Sequence, residues 1–258
     1  MASARHWTEE TFIDNPLLFL PDLMRRLEKA DEEAGHLNEI FRRHGVPVDG
    51  LVLDLACGVG RHSIALAKRG YRCVGVDISP EYVAKARELA ATGGVEDRCS
   101  FVACDMRRLR DSLGGYSFDA AISMYTSLGY YDPETDVEVL AQVRELVERG
   151  VLVVEMMNRG YAESLTGRRY SIGGELVRLE ESFFDGETAR LRAVWRMYRP
   201  RGQDLEYVGS IRFDNRLYTG GELMELAGSA GWENHRVYGG LDESEFSEDS
   251  KKAVLVAW

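Results

Sequence analysis

The chain has 258 residues, of which 45% are hydrophobic and only six are prolines, so it can bury a sizeable core and is not expected to be disordered. Its 43 acidic and 32 basic residues give a net charge of −11, which disfavours tight binding to nucleic-acid phosphates. No apolar stretch is long enough to cross a bilayer, and the first seven residues contain no apolar signal core, so the sequence predicts a cytoplasmic protein without a membrane partner. The four cysteines form no C-x-x-C pair and the five histidines lack zinc-ligand spacing, so we expect reduced, mostly buried thiols and no metal site.

The first two thirds of the chain show helices and strands in alternation. Apolar residues at helical spacing over residues 16–45 indicate two short helices ahead of a main domain. The strands predicted after them are residues 51–55, 72–77, 100–104, 118–123 and 151–154, and the helices are residues 61–68, 80–90 and 133–149. Such nearly continuous apolar strands between helices are typical of parallel β-α-β units that are buried on both faces.

After residue 160 the pattern changes to one of antiparallel strands. Residues 175–184 and 188–199 flank Asp185-Gly186, which is a strong hairpin-turn signal, and a third strand covers residues 205–213. The middle strand places Leu191, Ala193, Trp195 and Met197 on one face and Arg190, Arg192, Arg196 and Tyr198 on the other. A helix capped by Thr219 and two final strands, at about 233–238 and 252–257, complete the predicted elements.

The stretch from Val52 to His62 carries the strongest chemical signal. A strand ends there in a loop whose Gly58 and Gly60 allow a tight turn and a close approach to a ligand. The next strand ends at Asp77, whose carboxylate can accept both hydroxyls of a ribose. This order of strand, glycine loop, helix, strand and acid predicts a nucleoside-containing cofactor.

Two cofactors compete for this pattern. A dinucleotide site would need a third glycine at the position of Ser63, and Asp54 would repel a pyrophosphate. S-adenosylmethionine has no phosphate and carries an ammonium group and a sulfonium, so a carboxylate at the position of Asp54 suits it. The residues therefore favour S-adenosylmethionine over NAD.

These residues resemble the class I S-adenosylmethionine-dependent methyltransferases. The insertion at about 160–217, between the fifth strand and the next helix, resembles the branch of that family that methylates small-molecule amines and sugar amines. The segments that resemble the four motifs of the family are Asp54–Gly60, Val74–Ser79, Cys104–Met106 and Phe118–Met124. The resemblance covers residues 48–158 and departs from the family at Glu148-Arg-Gly150, where a proline-glycine turn is frequent. It implies that S-adenosylmethionine is the cofactor, with Asp77 on the ribose and Ile78 on the adenine. The cofactor-binding residues expected in this way are Asp54, Ala56, Cys57, Gly58, Gly60, Asp77, Ile78, Asp105, Met106 and Met124.

The expected fold is α/β: a Rossmann-like doubly wound sheet, mostly parallel with an antiparallel last strand, plus a small antiparallel β insertion. We expect residues 1–47 to form an N-terminal helical segment or lid. Residues 48–159 and 218–258 would form the cofactor-binding core, and residues 160–217 the β insertion over the acceptor site.

The candidates for a catalytic role are Tyr125, Tyr131 and His62, any of which could act as a general base if the acceptor arrives protonated. Each has a plainer interpretation as a packed side chain, as do Tyr130 and Asn158, which follow predicted strands at the ligand-binding edge. The arginines of residues 190–199 indicate either a solvated sheet face or a site for an anionic acceptor. Three N-terminal aromatics could form a lid or pack at the domain edge: Trp7, Phe12 and Phe19.

The function expected is methyl transfer from S-adenosylmethionine to a nitrogen or oxygen of a small-molecule acceptor by in-line displacement, which depends mainly on proximity and orientation. The alternatives are an RNA or protein methyltransferase, an NAD-dependent oxidoreductase, and a protein that binds S-adenosylmethionine without turnover. A nucleic-acid partner is disfavoured by the charge, and a homo-oligomer is compatible with the sequence.

Overall fold

Two β-sheets organise the protein in the computed structural model, which describes residues 5–173 and 175–258. Residues 1–4 of the expected N-terminal segment and residue 174 of the expected insertion lie outside the described residues. The strands are β1 (Leu51–Leu55), β2 (Arg72–Asp77), β3 (Cys99–Ala103), β4 (Ala120–Ser123), β5 (Val151–Met157), β6 (Gly167–Gly173), β7 (Leu176–Asp185), β8 (Arg190–Arg201), β9 (Asp204–Arg216), β10 (His235–Tyr238) and β11 (Lys252–Ala257). The α-helices are α1 (Trp7–Glu9), α2 (Pro16–Arg25), α3 (Ala30–Arg43), α4 (Arg61–Ala67), α5 (Pro80–Thr92), α6 (Leu109–Leu113), α7 (Pro133–Leu146), α8 (Arg159–Glu163) and α9 (Gly220–Ser229).

The larger sheet has seven strands in the order β10-β11-β5-β4-β1-β2-β3. Strands β1 to β5 are mutually parallel, whereas β11 runs antiparallel to β5 and β10 antiparallel to β11. Successive strands are added toward one edge from β1 to β3 and toward the other edge from β4 to β5, so the strand order switches between β1 and β4. At such a switch point the strand ends leave a crevice for a ligand. The predicted fold class is confirmed, including the antiparallel end of the sheet.

Helices cover both faces of this sheet, which explains why its central strands are apolar throughout. On one face, Leu37, Ile40 and Phe41 of α3 are completely buried against residues of β1, β4 and β5. Helices α7 and α9 bury a second cluster on the other face. Burial of one such large side chain contributes about 1.5–3 kcal/mol, so α3 is held to the core mainly by this stripe.

The N-terminal segment is helical as predicted, but it is more broken than two short helices. A π-helical turn (Glu10–Asp14) precedes α2, and a 3-10 turn (Arg26–Lys29) joins α2 to α3. Pro21 lies inside α2 and removes one helical hydrogen-bond donor there. None of the helices within the described residues is long and apolar enough to span a membrane.

The smaller sheet is antiparallel, as predicted, with the order β6-β7-β8-β9. Strand β6 was not predicted, because its sequence alternates charged, aromatic and small residues without a clear apolar face. The connection at Asp185-Gly186 lies between β7, which ends at Asp185, and β8, which begins at Arg190, two residues later than predicted. The Asp185 carboxylate accepts hydrogen bonds from the intervening backbone. In the core, β4 begins two residues later than predicted and α7 ends three residues earlier.

Gly60 starts helix α4 in the left-handed conformation, with φ of +74°. A Cβ at this position would lie 2.7 Å from ring atoms of Phe101 on β3 and 3.1 Å from the Cβ of Ala86 on α5. The glycine therefore serves two needs at once, a positive φ and close packing of the helix start on the neighbouring strand and helix.

Replacing Gly60 with alanine is expected to lower the free energy of unfolding by about 2–4 kcal/mol, the sum of left-handed strain and overpacking. Urea unfolding measures this directly. The matched control is Gly94→Ala, because Gly94 has a φ of +68° but nothing within 4 Å of its Cβ position, so only the strain of about 1 kcal/mol remains. Equal losses in the two variants would show that the contact with Phe101 is unimportant.

Candidate active site

A large cavity opens over the carboxyl ends of β1, β2 and β4, with an empty volume of about 1480 Å³ including its mouth. Its floor is formed by the loops that follow these strands, its roof by the N-terminal segment, and its side wall by the inner face of the smaller sheet. Nine of the ten predicted cofactor residues line it: Asp54, Ala56, Cys57, Gly58, Asp77, Ile78, Asp105, Met106 and Met124. Gly60 differs, because it faces the Phe101 ring rather than the cavity.

The loop after β1 is built around the buried carboxylate of Asp54. One oxygen of Asp54 accepts hydrogen bonds from the backbone N–H of Ser63 at 3.2 Å and from its hydroxyl at 2.6 Å. Burial raises the pKa of Asp54 above its ordinary value. Ser63, which counted against a dinucleotide site, thus has a definite role in holding this carboxylate.

Asp77 at the end of β2 holds the other side of the same loop. Its Oδ2 accepts the backbone N–H of Gly58 at 2.8 Å, and its Oδ1 accepts that of Ser79 at 2.9 Å. Each oxygen keeps capacity for a further hydrogen bond. Burial raises the pKa of Asp77 to about 6, so the side chain is a desolvated acceptor that faces the cavity.

The second and third motifs together contribute an apolar wall, and the third motif adds a carboxylate that is already hydrogen-bonded. Ile78 and Met106 line the cavity next to Asp77. Both oxygens of Asp105 are bound by the side chain of Arg107, the shortest contact being 2.6 Å. Burial raises the pKa of Asp105, but the hydrogen bonds from Arg107 outweigh it and leave the pKa below its ordinary value.

A cluster of charges joins α4 to the N-terminal segment. Glu33 of α3 is ion-paired with Arg61 and accepts a contact from Nε2 of His62 at 3.0 Å. Arg61 and His62 are almost fully buried and line the cavity. Burial raises the pKa of Glu33, but the bonds from His62 and Arg61 outweigh it and bring the pKa to about 2. Arg61 was not anticipated from the sequence, where it stands only as a charged residue at the start of a helix.

The turn after β4 is held in an unusual conformation. Tyr125 and Thr126 have φ values of +62° and +60°, a conformation that costs a non-glycine residue about 1–2 kcal/mol. Hydrogen bonds compensate: the N–H of Thr126 donates to the Glu155 carbonyl at 3.0 Å, and its hydroxyl oxygen accepts the N–H of Met157 at 2.9 Å. The strained turn points Tyr125 into the cavity.

The aromatic side chains at this turn contact the N-terminal segment. Arg26 donates to the hydroxyl of Tyr125, and its guanidinium lies 3.6 Å from the centre of that ring. Tyr131 stacks on His6, with 4.8 Å between ring centres, and burial raises the pKa of its hydroxyl. Phe12 and Phe19 line the cavity, so the N-terminal aromatics are not confined to the edge of the domain.

Asn158, which the sequence offered as a possible pocket residue, does not line the cavity. Its amide Nδ2 donates to three backbone carbonyls in the segment before β11, those of Ser247, Glu248 and Ser250. The residue is buried and clamps this segment to the end of β5. Its position after a strand therefore reflects a structural contact.

The inner face of the smaller sheet forms the side wall, and period two along the strands explains which residues reach it. The wall residues from β8 and β9 are Leu191, Ala193, Trp195, Phe213 and Asn215. Two of their polar atoms, Nε1 of Trp195 and Oδ1 of Asn215, are buried and have no hydrogen-bond partner among the described residues. Asn215 was not predicted, because the third predicted strand ends at residue 213. The β7 residues of this wall were not predicted, because charged residues on that strand obscure its inward face.

The arginine stripe lies on the opposite, outer face. Arg192 pairs with Asp185 and Asp214, and Arg196 pairs with Glu181. Both arginines are partly exposed to solvent. This arrangement agrees with a solvated sheet face rather than with a site for an anionic acceptor.

Comparison with known proteins gives a match to a family model and relatives that differ in the acceptors they are named for. Residues 52–150 match the model of a methyltransferase domain. The YqeM protein of Bacillus subtilis, a methyltransferase by name, is 26% identical over 82% of this chain and 85% of its own length. The 23S rRNA (uracil(1939)-C(5))-methyltransferase RlmD of Shewanella amazonensis is 51% identical, but over only 21% of this chain and 12% of its own. The structure of the sugar N-methyltransferase KedS8 from a Streptoalloteichus species has a TM-score of 0.69 at 21% identity and covers 87% of this chain and 85% of that one, which shows a shared fold.

Replacing Glu33 with glutamine is expected to lower the free energy of unfolding at pH 7 by at least about 2 kcal/mol, because Arg61 would remain buried without its counter-charge. The pKa of Glu33 is depressed from 4.5 to about 2, so its contribution is complete above pH 4.5 and is lost as the pH falls toward 2. The stability difference between wild type and variant, measured by urea unfolding, should therefore shrink over that interval.

The control for this experiment is Glu39→Gln on the same helix, where the pair between Glu39 and Arg42 is exposed and contributes less than about 1 kcal/mol. A loss in Glu33→Gln no larger than in the control would contradict a structural role for the cluster.

Proposed function

Because the chain belongs to the class I S-adenosylmethionine-dependent methyltransferases, we propose that it transfers a methyl group to the amine nitrogen of a small-molecule acceptor. The observation that carries the proposal is the continuity of the cavity. One space connects the loops after β1 and β2 with the inner face of the inserted sheet. The first part suits the cofactor, and the second leaves room for an acceptor beside it.

The residues of the cofactor part fit S-adenosylmethionine. Asp77 has one free acceptor position on each oxygen for the two ribose hydroxyls, and Ile78 with Met106 provides an apolar surface for the adenine. Asp54 supplies negative charge for the ammonium group, and the buried guanidinium of Arg61 suits the carboxylate of the methionine part. When bound, the cofactor supplies a methyl group that is already activated on a sulfonium.

An NAD-dependent oxidoreductase is the weaker alternative. The position where a dinucleotide site needs a third glycine is occupied by Ser63, whose hydroxyl binds Asp54. A pyrophosphate over this loop would meet the two desolvated carboxylates Asp54 and Asp77. Both features favour a cationic cofactor.

The acceptor part of the cavity suits a small molecule better than RNA or a protein. It is roofed by Phe12 and Phe19 from the N-terminal segment and walled by the inner sheet face, so an acceptor has to fit inside an enclosed space. The net charge of −11 on the chain as a whole disfavours binding to an RNA backbone. The relationship in fold to a sugar N-methyltransferase supports the same class of acceptor.

An amine is favoured over a hydroxyl because the tyrosines at the acceptor part stay protonated. Burial raises the pKa of Tyr130 and Tyr131, so their hydroxyls are not available as general bases, and Nε2 of His62 is occupied by Glu33. A neutral amine needs no base before it reacts, since its lone pair is free. In the transfer the nitrogen forms the new N–C bond, the C–S bond breaks with its electron pair left on sulfur, and the ammonium product releases a proton to water. The enzyme then acts chiefly by alignment, with Tyr125 shaping the space around the methyl group.

Incubation with S-adenosylmethionine and a panel of aminohexose methyl glycosides, each paired with its hydroxyl analogue, tests this function. We expect S-adenosylhomocysteine to form with an amine and not with its hydroxyl partner.

Asp77→Ala should weaken cofactor binding in calorimetry by about 1.5–3 kcal/mol, because a charged acceptor of two hydrogen bonds is lost. Asp97→Ala, on an exposed turn, is the control. Turnover of hydroxyl compounds alone, or micromolar binding of NAD instead of S-adenosylmethionine, would refute the proposal.

If the cavity has separate cofactor and acceptor parts, substitutions at two neighbouring residues of β8 should have different effects. Ala193 faces the cavity and Arg192 faces solvent. Ala193→Phe should raise the acceptor KM at least tenfold, equivalent to about 1.4 kcal/mol, with cofactor affinity unchanged. Arg192→Gln should alter neither constant. If cofactor affinity falls in Ala193→Phe while the fold is intact, the proposed division is wrong.

A further inference from the structure

Asn215, at the end of β9, has one polar atom in use and one buried and unused. Its Nδ2 donates to the carbonyl oxygen of Thr126 at 3.2 Å. Its Oδ1 is buried, and no described residue donates a hydrogen bond to it. A buried acceptor left in this state typically costs about tenfold to a hundredfold in an equilibrium constant, so a ligand that can donate to it is favoured.

The orientation of this amide is fixed by its surroundings. Thr126 belongs to the strained turn after β4 and is held at its N–H by the Glu155 carbonyl and at its hydroxyl by the N–H of Met157. Turning the amide over would bring Oδ1 against the Thr126 carbonyl, two acceptors facing each other. The free atom is therefore the oxygen, and what it lacks is a donor.

The position of Oδ1 of Asn215 in the cavity indicates which part of a bound ligand it would contact. Asn215 lines the cavity together with Tyr125, Thr126 and Met157, which lie at the ends of β4 and β5. These strand ends adjoin the end of β1, where the cofactor loop begins. The oxygen thus lies on the acceptor side of the junction between the two parts of the cavity.

We propose that Oδ1 of Asn215 accepts a hydrogen bond from the N–H of the acceptor amine and thereby limits methylation to amines that retain an N–H. The inference rests on the proposed amine methyltransferase function. A neutral primary amine has two N–H groups and can donate one while its lone pair reacts. After one transfer and loss of a proton, the secondary amine still has one N–H. After the second transfer the tertiary amine has none, so its binding would bury Oδ1 unpaired, and the reaction stops there.

The test uses one aminohexose methyl glycoside as its primary, N-methyl and N,N-dimethyl amines, with products identified by mass spectrometry. The primary and secondary amines should both be converted to the tertiary amine. The tertiary amine should react at least a hundredfold more slowly, with no accumulation of quaternary product. Calorimetry in the presence of S-adenosylhomocysteine should show the secondary amine binding at least tenfold more tightly than the tertiary amine.

Two substitutions isolate the oxygen. Asn215→Ala removes it, and Asn215→Leu removes it while keeping most of the side-chain volume. Both should lower kcat/KM for the secondary amine at least tenfold and reduce the tenfold difference in binding between the secondary and tertiary amines, with S-adenosylhomocysteine affinity unchanged. Ser210→Ala, on the exposed outer face of the same strand, should match wild type.

The possible failures are distinguishable. Formation of quaternary product by the wild type, or an unchanged preference for the secondary amine in a folded Asn215→Leu variant, would overturn this inference and leave the amine methyltransferase function intact. Turnover of hydroxyl analogues without any amine would overturn the proposed function, and this inference with it.

Discussion

Two buried carboxylates determine how the cofactor side of this protein is built. Asp54 holds the start of α4 from below through Ser63, and Asp77 holds the preceding loop from the side through the N–H of Gly58. Burial raises the pKa of both, and the negative charge of Asp54 raises the pKa of Asp77 further. A ligand that brings positive charge and hydroxyl donors relieves this cost, whereas an anionic ligand adds to it.

The N-terminal segment completes the site rather than standing apart from it. Glu33 neutralises Arg61, the side chain of Leu23 packs over Gly58, and Arg26 covers the ring of Tyr125. The same segment therefore contacts the cofactor loop and the turn that faces the acceptor.

The sequence predicts most of the core because burial on both faces leaves a strong apolar signal in β1 to β5, and because Gly58 and Asp77 stand at fixed points of that pattern. It does not predict contacts that depend on distant segments. Ser63 could be recognised as the wrong residue for NAD, but its bond to Asp54 needs the turn geometry. Strand β6 was not predicted because its residues show no clear apolar face, and it stays largely exposed in the folded protein. The inward position of Asn215 was not predicted because the residue is polar, and the burial of its Oδ1 is created only by the folded sheet and its neighbours. The arginines of β8 allowed two interpretations, and only the carboxylates of the adjacent strands on the same face indicate the solvated one.

In the proposed reaction, positive charge moves from the cofactor part of the cavity to the acceptor part. It begins on the sulfonium and ends on the nitrogen, beside a wall that combines apolar residues such as Leu191 and Ala193 with the mutually paired Arg169 and Glu180. The apolar residues of this wall disfavour a charged amine before the proposed transfer, which keeps the lone pair available. They equally disfavour the ammonium product, which promotes proton loss and release. A neutral amide oxygen can therefore orient the amine without trapping it as a cation, a role that a carboxylate at the position of Asn215 would perform poorly.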